Sequence, residues 1–440
     1  MKRLYTFALL VLLAVSPTVA WAEGGKPPAE DLSRLVSTAL DNNPELKSSQ
    51  ARWQMYSNRI KQASALEDPM FMFKLQNMVA KYPLSFDKDT MTAKVIGVSQ
   101  QLPFWGKRAI KQELAQYEAD SYKWTIDERK LELARMVKET YYQIYAVDRF
   151  LQIIDKNLQI MDDFITIAES KYSVGQGGQQ DIYKAGLEKS KMLDMQITLK
   201  QQRKSLEANL NSLLYRPVTT PIGPIPDFEL PQPALSAEQL KETAFAKRPQ
   251  IKSLISLANK GDASRRLAEK EYYPDFNVSF EYMLREAINT EMTKDPGDNM
   301  FTVGVTFNLP FQRERRRAMV AEAASETNMS LEELNGLRNN ITYSINDILA
   351  QLERRQKLVE LYKGGIIPQA EQSLESAIIS YRVNKVDFLS LLDGRVNLFN
   401  YERELYESQA EYMMKLAQLE ALVGGELPLK TAEPVASTAK

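Results

Sequence analysis

The sequence predicts an α+β membrane protein. Each chain is expected to supply four strands to a twelve-stranded β-barrel shared by three copies, continued by long antiparallel coiled-coil helices. Three observations lead there. Apolar residues recur every seven positions along two long stretches. Segments of ~10 residues, the length of a transmembrane strand, alternate apolar and polar side chains. The chain also repeats itself, so each feature occurs twice.

The heptads come first. Val137, Ile144, Leu151, Leu158, Ile165 and Tyr172 form one row, with Val147, Ile154, Met161 and Ala168 beside it. In the second half Leu391, Leu398, Leu405, Tyr412 and Leu419 run next to Leu392, Phe399, Tyr406 and Met413. Sustained rows of this kind mean packed, gently supercoiled helices. No proline interrupts residues 106–172, which as a helix would be roughly 100 Å long. The counterpart, residues 312–381, has Pro368 as its expected kink.

The strands alternate with period two. Phe276, Val278, Phe280 and Tyr282 are interleaved with Asn277, Ser279 and Glu281; Phe301, Val303, Val305, Phe307 and Leu309 with Thr302, Gly304, Thr306 and Asn308. Residues 70–78 and 92–102 are the less regular first-half equivalents. Phe276, Val278, Phe280, Val303 and Val305 are the expected lipid-facing set. Pro69, Pro103, Pro274 and Pro310 mark the strand ends near the helices, where proline terminates both ladder and helix. Aromatic residues gather there (Phe104, Trp105, Tyr272, Tyr273, Phe311), as at a membrane interface. A basic cluster follows: Lys107, Arg108 and Lys111, then Arg313, Arg315, Arg316 and Arg317. Positive charge at a helix start opposes the macrodipole, and membrane lipid phosphate would offset it. Four strands cannot close alone and an open edge in lipid is costly, so three copies are expected to share the barrel.

The duplication is seen in ordered matches. Asn43-Pro44 answers Arg248-Pro249, Leu102-Pro103-Phe104 answers Leu309-Pro310-Phe311, and Tyr172-x-Val174 answers Tyr381-x-Val383. The expected organisation is an export signal at 1–22, a first repeat at 23–216 with its hairpin at 69–104, and a proline-rich linker at 217–235. A second repeat at 236–425 has its hairpin at 274–311, and a tail occupies 426–440. Lys2 and Arg3, the largely apolar residues 4–15 and Ala20-Trp21-Ala22 have the form of a cleaved signal, which puts the mature start at Glu23. The destination is then the periplasm, the outer membrane or the medium.

Composition narrows the function. The chain has 440 residues, 56 Lys+Arg against 57 Asp+Glu, a net charge of −1, and neither His nor Cys. That balance argues against nucleic-acid binding. The missing residue types exclude Ser-His-Asp and Cys-His catalysis, Cys/His zinc sites and disulfides. No convergent acid–base site is visible, so no enzyme is expected. Met70, Met72, Met78 and Met91 near the first hairpin suit strand packing better than soft-metal binding; no metal and no cofactor are assigned.

Taken in order and duplicated, these segments resemble the TolC family of outer-membrane efflux ducts. The resemblance rests on Ser99-Gln100-Gln101-Leu102-Pro103-Phe104 with Gly106-Lys107-Arg108, Tyr273-Pro274-Asp275-Phe276, and Val303-Gly304-Val305 through Leu309-Pro310-Phe311. It extends to Tyr381–Val383, Leu391-Leu392-Asp393 and residues 419–424. It implies a homotrimer in the outer membrane with its helical body in the periplasm. It further implies a periplasmic adaptor and an inner-membrane pump as partners, beside outer-membrane lipid. The implied function is a passive exit duct for solutes. The alternatives are a secreted coiled-coil structural or adhesin rod, and the exit duct of a type I protein secretion system. Many relatives carry an acylated N-terminal cysteine that this chain lacks. The resemblance implies adaptor-contacting tips at Tyr172, Val174 and Gly175 and at Tyr381, Val383 and Asn384. It also implies a periplasmic gate at Asp393, with Ser390 at the next upstream position of the pattern. Asp387 either supplements that gate or caps its helix.

Overall fold

Local capping chemistry sets where the helices begin. In the computed structural model, which describes residues 31–290 and 292–430, Asn43 separates α1 (Leu32–Asn42) from α2 (Pro44–Ser64). Its side-chain oxygen accepts from Glu45 N at 2.8 Å and Leu46 N at 3.1 Å, with Pro44 in the first turn, where its missing N–H costs nothing. Arg248-Pro249 makes the corresponding break between α5 (Ala237–Lys247) and α6 (Pro249–Lys270), and Ser236 with Gln239 forms a capping box at the start of α5. The expected export signal and mature start lie outside the described residues, as do residues 431–440 of the expected tail.

α3 (Lys107–Ser173) runs for 67 residues without a break and returns as α4 (Gln179–Leu213). In the second half α7 (Arg313–Leu361) passes through one π-type turn at Tyr362–Ile366 into α8 (Ile367–Arg382), which returns as α9 (Phe388–Val423). The heptad rows become the core: Ile144, Ile154 and Met161 of α3 and Leu419 of α9 are fully buried. α3 is the spine, packing against α2, α4, α6 and α9. Burial of this continuous apolar stripe, rather than helix propensity, holds so long a helix in place.

Between the helices stand β1 (Met70–Gln76), β2 (Ala93–Leu102), β3 (Phe276–Arg285) and β4 (Met300–Phe307). They form one antiparallel sheet in the order β1-β2-β3-β4, so the two hairpins meet along β2 and β3. Here the expected fold class needs correction. The described residues build a mostly helical chain with one open four-stranded sheet and two pairings of two-residue strands; no sheet closes on itself. The twelve-stranded transmembrane β-barrel with a coiled-coil tunnel is not the fold of this chain. Alternation sets the face of each strand, but it carries no information about what pairs with β1 and β4 at the edges. No described helix is long and apolar enough to cross a membrane.

Candidate functional site

The chemistry that distinguishes this chain lies at the two ends of α3. At one end the strand register sorts side chains by face. Phe276 pairs with Phe307, Val278 with Val305, Phe280 with Val303 and Tyr282 with Phe301, and Val98 and Ile96 of β2 lie opposite Phe280 and Tyr282. Phe71 and Phe73 of β1 extend the same face. Val278, Phe280, Val303 and Val305 are exposed, and Phe276 is half-buried. The opposite face carries Lys74 and Glu281, paired at 3.0 Å, together with Ser279 and Thr302. The apolar face is thus the uncovered one, the reverse of a sheet on a water-soluble core.

The junction below the sheet is organised by Asp275. One of its carboxylate oxygens accepts from Phe104 N at 2.7 Å, the other from Lys107 Nζ at 3.0 Å, and its own N–H donates to Asn308 Oδ1 at 2.6 Å. This ties the exit of β2, the entry of β3 and the exit of β4 to the start of α3. Lys107 also pairs with Glu271 at 3.2 Å and is 1% exposed. Expected as a lipid-phosphate ligand, Lys107 is instead buried inside the chain between two carboxylates. The ring of Phe104 stacks on Tyr273 at 4.5 Å. Arg108 is exposed, and its Nε and Nη2 donate to Ser64 O at 2.9 and 2.6 Å. Arg316 Nη1 donates to Gln312 O at 3.1 Å, and its Nε donates to Glu271 O. Arg313 and Arg315 are exposed without an ion pair among the described residues.

At the far end, α3 and α8 stop in the same way. Gln176 N donates to Lys171 O at 2.8 Å and Gly175 N to Tyr172 O at 3.0 Å. Lys385 N donates to Ser380 O at 2.9 Å and Asn384 N to Tyr381 O at 3.1 Å. This is the Schellman pattern, which needs a left-handed residue, and Gly175 (φ 75°) and Asn384 (φ 61°) supply it. Tyr172, Val174 and Val383 are exposed. Tyr381 is not: Lys171 Nζ lies 4.7 Å from its ring centroid and donates to Asn384 Oδ1, so one lysine binds the two tips together. Burial, with Asp181 nearby, pushes the Tyr381 hydroxyl pKa up. A cavity of about 450 Å³ lies between the tips, lined by Asp181, Lys184, Tyr381, Asn384 and Asp387 among others.

The three expected gate residues have different surroundings. Asp387 caps α9 by accepting from Ser390 N at 2.8 Å, and hydrogen bonds from Ser390 hold its carboxyl below the usual aspartate range. Asp393 is exposed and has no hydrogen-bond or ion-pair partner among the described residues. Two residues on in sequence, Arg395 is 3% exposed; its Nε donates to Asn157 Oδ1 at 2.7 Å, while its Nη2 has no hydrogen-bond partner among the described residues. Burial pushes the Arg395 pKa down. Sequence reasoning missed this pair, although both residues sit three or four positions from apolar neighbours on either side, where a polar residue must enter the core.

Comparison with known proteins agrees with this architecture. A family model described as "Outer membrane efflux protein" matches residues 35–214 and 240–425. The chain is similar to the outer membrane efflux protein BepC of Brucella suis, 20% identical over 395 residues that cover 88% of this chain and 83% of that one. It is similar to the toxin and drug export protein A of Aggregatibacter actinomycetemcomitans, 21% identical over 87% of this chain and 86% of that one. The crystal structure of the outer membrane protein VceC from Vibrio cholerae shares the fold, with a TM-score of 0.74 at 17% identity, covering 90% of this chain and 96% of that one.

Proposed function

The chain belongs to the outer membrane efflux protein (TolC) family, whose members transport rather than catalyse, and from that membership we propose that it is the exit duct of a tripartite efflux system. Three copies assemble around a common axis in the outer membrane, with the helical body in the periplasm. An inner-membrane pump supplies the energy and a periplasmic adaptor delivers the solute. The observation that carries this reading is the polarity of the molecule along α3. An uncovered apolar sheet face stands at one end and two matched, exposed helical tips stand at the other, roughly 100 Å apart.

Each end has a role in this reading. Phe276, Val278, Phe280, Val303 and Val305 face lipid, with Arg108, Arg313, Arg315 and Arg316 at the headgroup level. Tyr172, Val174, Gly175, Val383 and Asn384 meet the adaptor. Asp393, without a hydrogen-bond or ion-pair partner among the described residues, lines a narrow periplasmic opening and favours cations there. Asp387 and Ser390 satisfy one another and shape the turn.

Membrane fractionation with cross-linking tests the reading. The chain should be extracted from the outer membrane only by detergent and should cross-link as a trimer. Cells lacking it should accumulate an exported solute, and Val174→Asp with Val383→Asp should fail to restore export while still giving trimer. Recovery as a detergent-free periplasmic monomer would favour a rod without duct function. A second cargo class, proteins, is supported by the relative whose name pairs toxin with drug export.

A further inference from the structure

Where the sheet meets the helices, the apolar face does not end flat. Leu102, Phe104 and Trp105 leave a groove of about 540 Å³ against Phe276, Val278 and Val305. Trp105 is 76% exposed at its mouth, held edge-on to Phe104 at 5.4 Å and 5.7 Å from Phe276. Arg108 lines the same groove. Its guanidinium is pinned through Nε and Nη2 to the Ser64 carbonyl, which leaves Nη1 free, and no carboxylate pairs with it among the described residues. A fixed, unpaired cation beside a dry furrow is a recognition site for an amphiphile with an anionic head.

We infer that this groove binds one anionic phospholipid, with an acyl chain laid along Trp105, Phe276 and Val278 and the phosphate on Arg108. Two observations favour a lipid over a second copy of the chain. The groove centres on β3, an inner strand of the sheet, whereas a neighbouring copy would meet the edges β1 and β4. It also opens directly onto the exposed apolar face, so a chain seated in it stays in the same hydrocarbon layer. Such a site holds one lipid at a fixed depth beside the sheet. This inference rests on the proposal that the apolar face meets lipid.

Trp105 reports on the site. In a Trp53→Phe, Trp124→Phe background it is the sole remaining indole among the described residues. The protein is reconstituted in phosphatidylcholine vesicles doped with a brominated-chain lipid, either phosphatidylglycerol or phosphatidylcholine. At equal low mole fraction the brominated phosphatidylglycerol should quench Trp105 about fivefold more effectively, the preference expected of one added cationic contact with the headgroup. Arg108→Gln should abolish the preference, and Arg108→Lys, which keeps the charge, should retain most of it. Ala109→Phe keeps the charge but fills the groove, and should reduce quenching by both lipids. Equal quenching by the two lipids in the unsubstituted site, or a preference that survives Arg108→Gln, would overturn the site while leaving the lipid-facing surface intact. No quenching by either lipid would overturn the lipid-facing reading itself.

Discussion

A Cβ atom on Gly261 of α6 would sit 2.6 Å from Thr327 Oγ1 and 2.9 Å from Thr327 N on α7, so these helices meet there with no room for a side chain. Gly261→Ala must push them apart. Alanine gains about 1 kcal/mol of helix propensity over glycine. Overpacking against backbone costs about 1–3 kcal/mol, and the backbone cannot yield as a side-chain end would. Thermal unfolding should show a lower midpoint for Gly261→Ala. Gly336→Ala, where a Cβ meets open space, should show the opposite shift.

The two sheet faces should differ in tolerance. Phe280→Arg places a charge on the exposed apolar face, and near the middle of a bilayer such a change costs about 2–4 kcal/mol. Thr302→Arg falls on the other face, directly across from Glu281, where a cation is welcome. Immunoblots of detergent-extracted membranes should show the first depleted and the second near normal. Equal recovery would remove the argument that the apolar face meets lipid.

Asp393 and Asp387 should separate in function. Asp393 has no partner among the described residues to lose, so Asp393→Ala should leave unfolding unchanged and weaken cation selectivity in planar-bilayer recordings. Asp387→Ala should do the reverse, loosening the start of α9 while selectivity holds. The hydrogen bonds from Ser390 lower the Asp387 pKa in the folded chain. The cap's contribution is therefore complete above the ordinary aspartate pKa and is lost as pH falls through the depressed folded value. Amide exchange near Ser390 should rise only at acid pH, and should be raised at neutral pH in Asp387→Ala.

Arg395 tests how the helical body tolerates a buried cation. Asn157→Ala removes the acceptor of Arg395 Nε and leaves the guanidinium buried with less compensation, a loss of about 2–3 kcal/mol. Arg395→Met keeps the length of the side chain, removes the charge and its orphaned Nη2, and should be neutral or stabilising. Denaturant midpoints of the two variants should move apart. If both fall equally, Arg395 is holding something beyond Asn157.

Much of the frame is written in local pattern. The rows through Ile144 and Leu419 mark what is buried, and the alternation of Phe276 to Tyr282 marks a strand with two unlike faces. Gly175 and Asn384 mark the left-handed turns, since few other residues adopt that backbone. Long-range pairing is not written this way. Lys107 follows an aromatic cluster and looks solvent-facing, yet its partner Asp275 lies 168 residues away in sequence. Tyr172 and Tyr381 occupy equivalent places in the repeat, but Lys171 covers only the second. The barrel expectation failed for a related reason. It required knowing what lies across the edges of β1 and β4, and no pattern within a chain encodes its neighbours.

The π-type turn at Tyr362–Ile366 has a consequence for how the two halves count. Along α3 the buried row keeps step every seven residues, whereas Val359 of α7 and Leu374 of α8 are fifteen apart, two heptads plus one. The surplus residue is taken up where Ile367 N reaches back five residues to Tyr362 O, next to Pro368, which has no N–H to give. A spare residue amounts to about 100° of phase around a helix axis. The wide turn absorbs it, so the stripe on α8 still faces α9. Gly364 has open space around it, so Gly364→Ala should fold and slow amide exchange across the turn. The two struts that reach the tips are therefore unequal: one is cut to an unbroken count, and the other carries one residue of slack between its buried stripe and its tip.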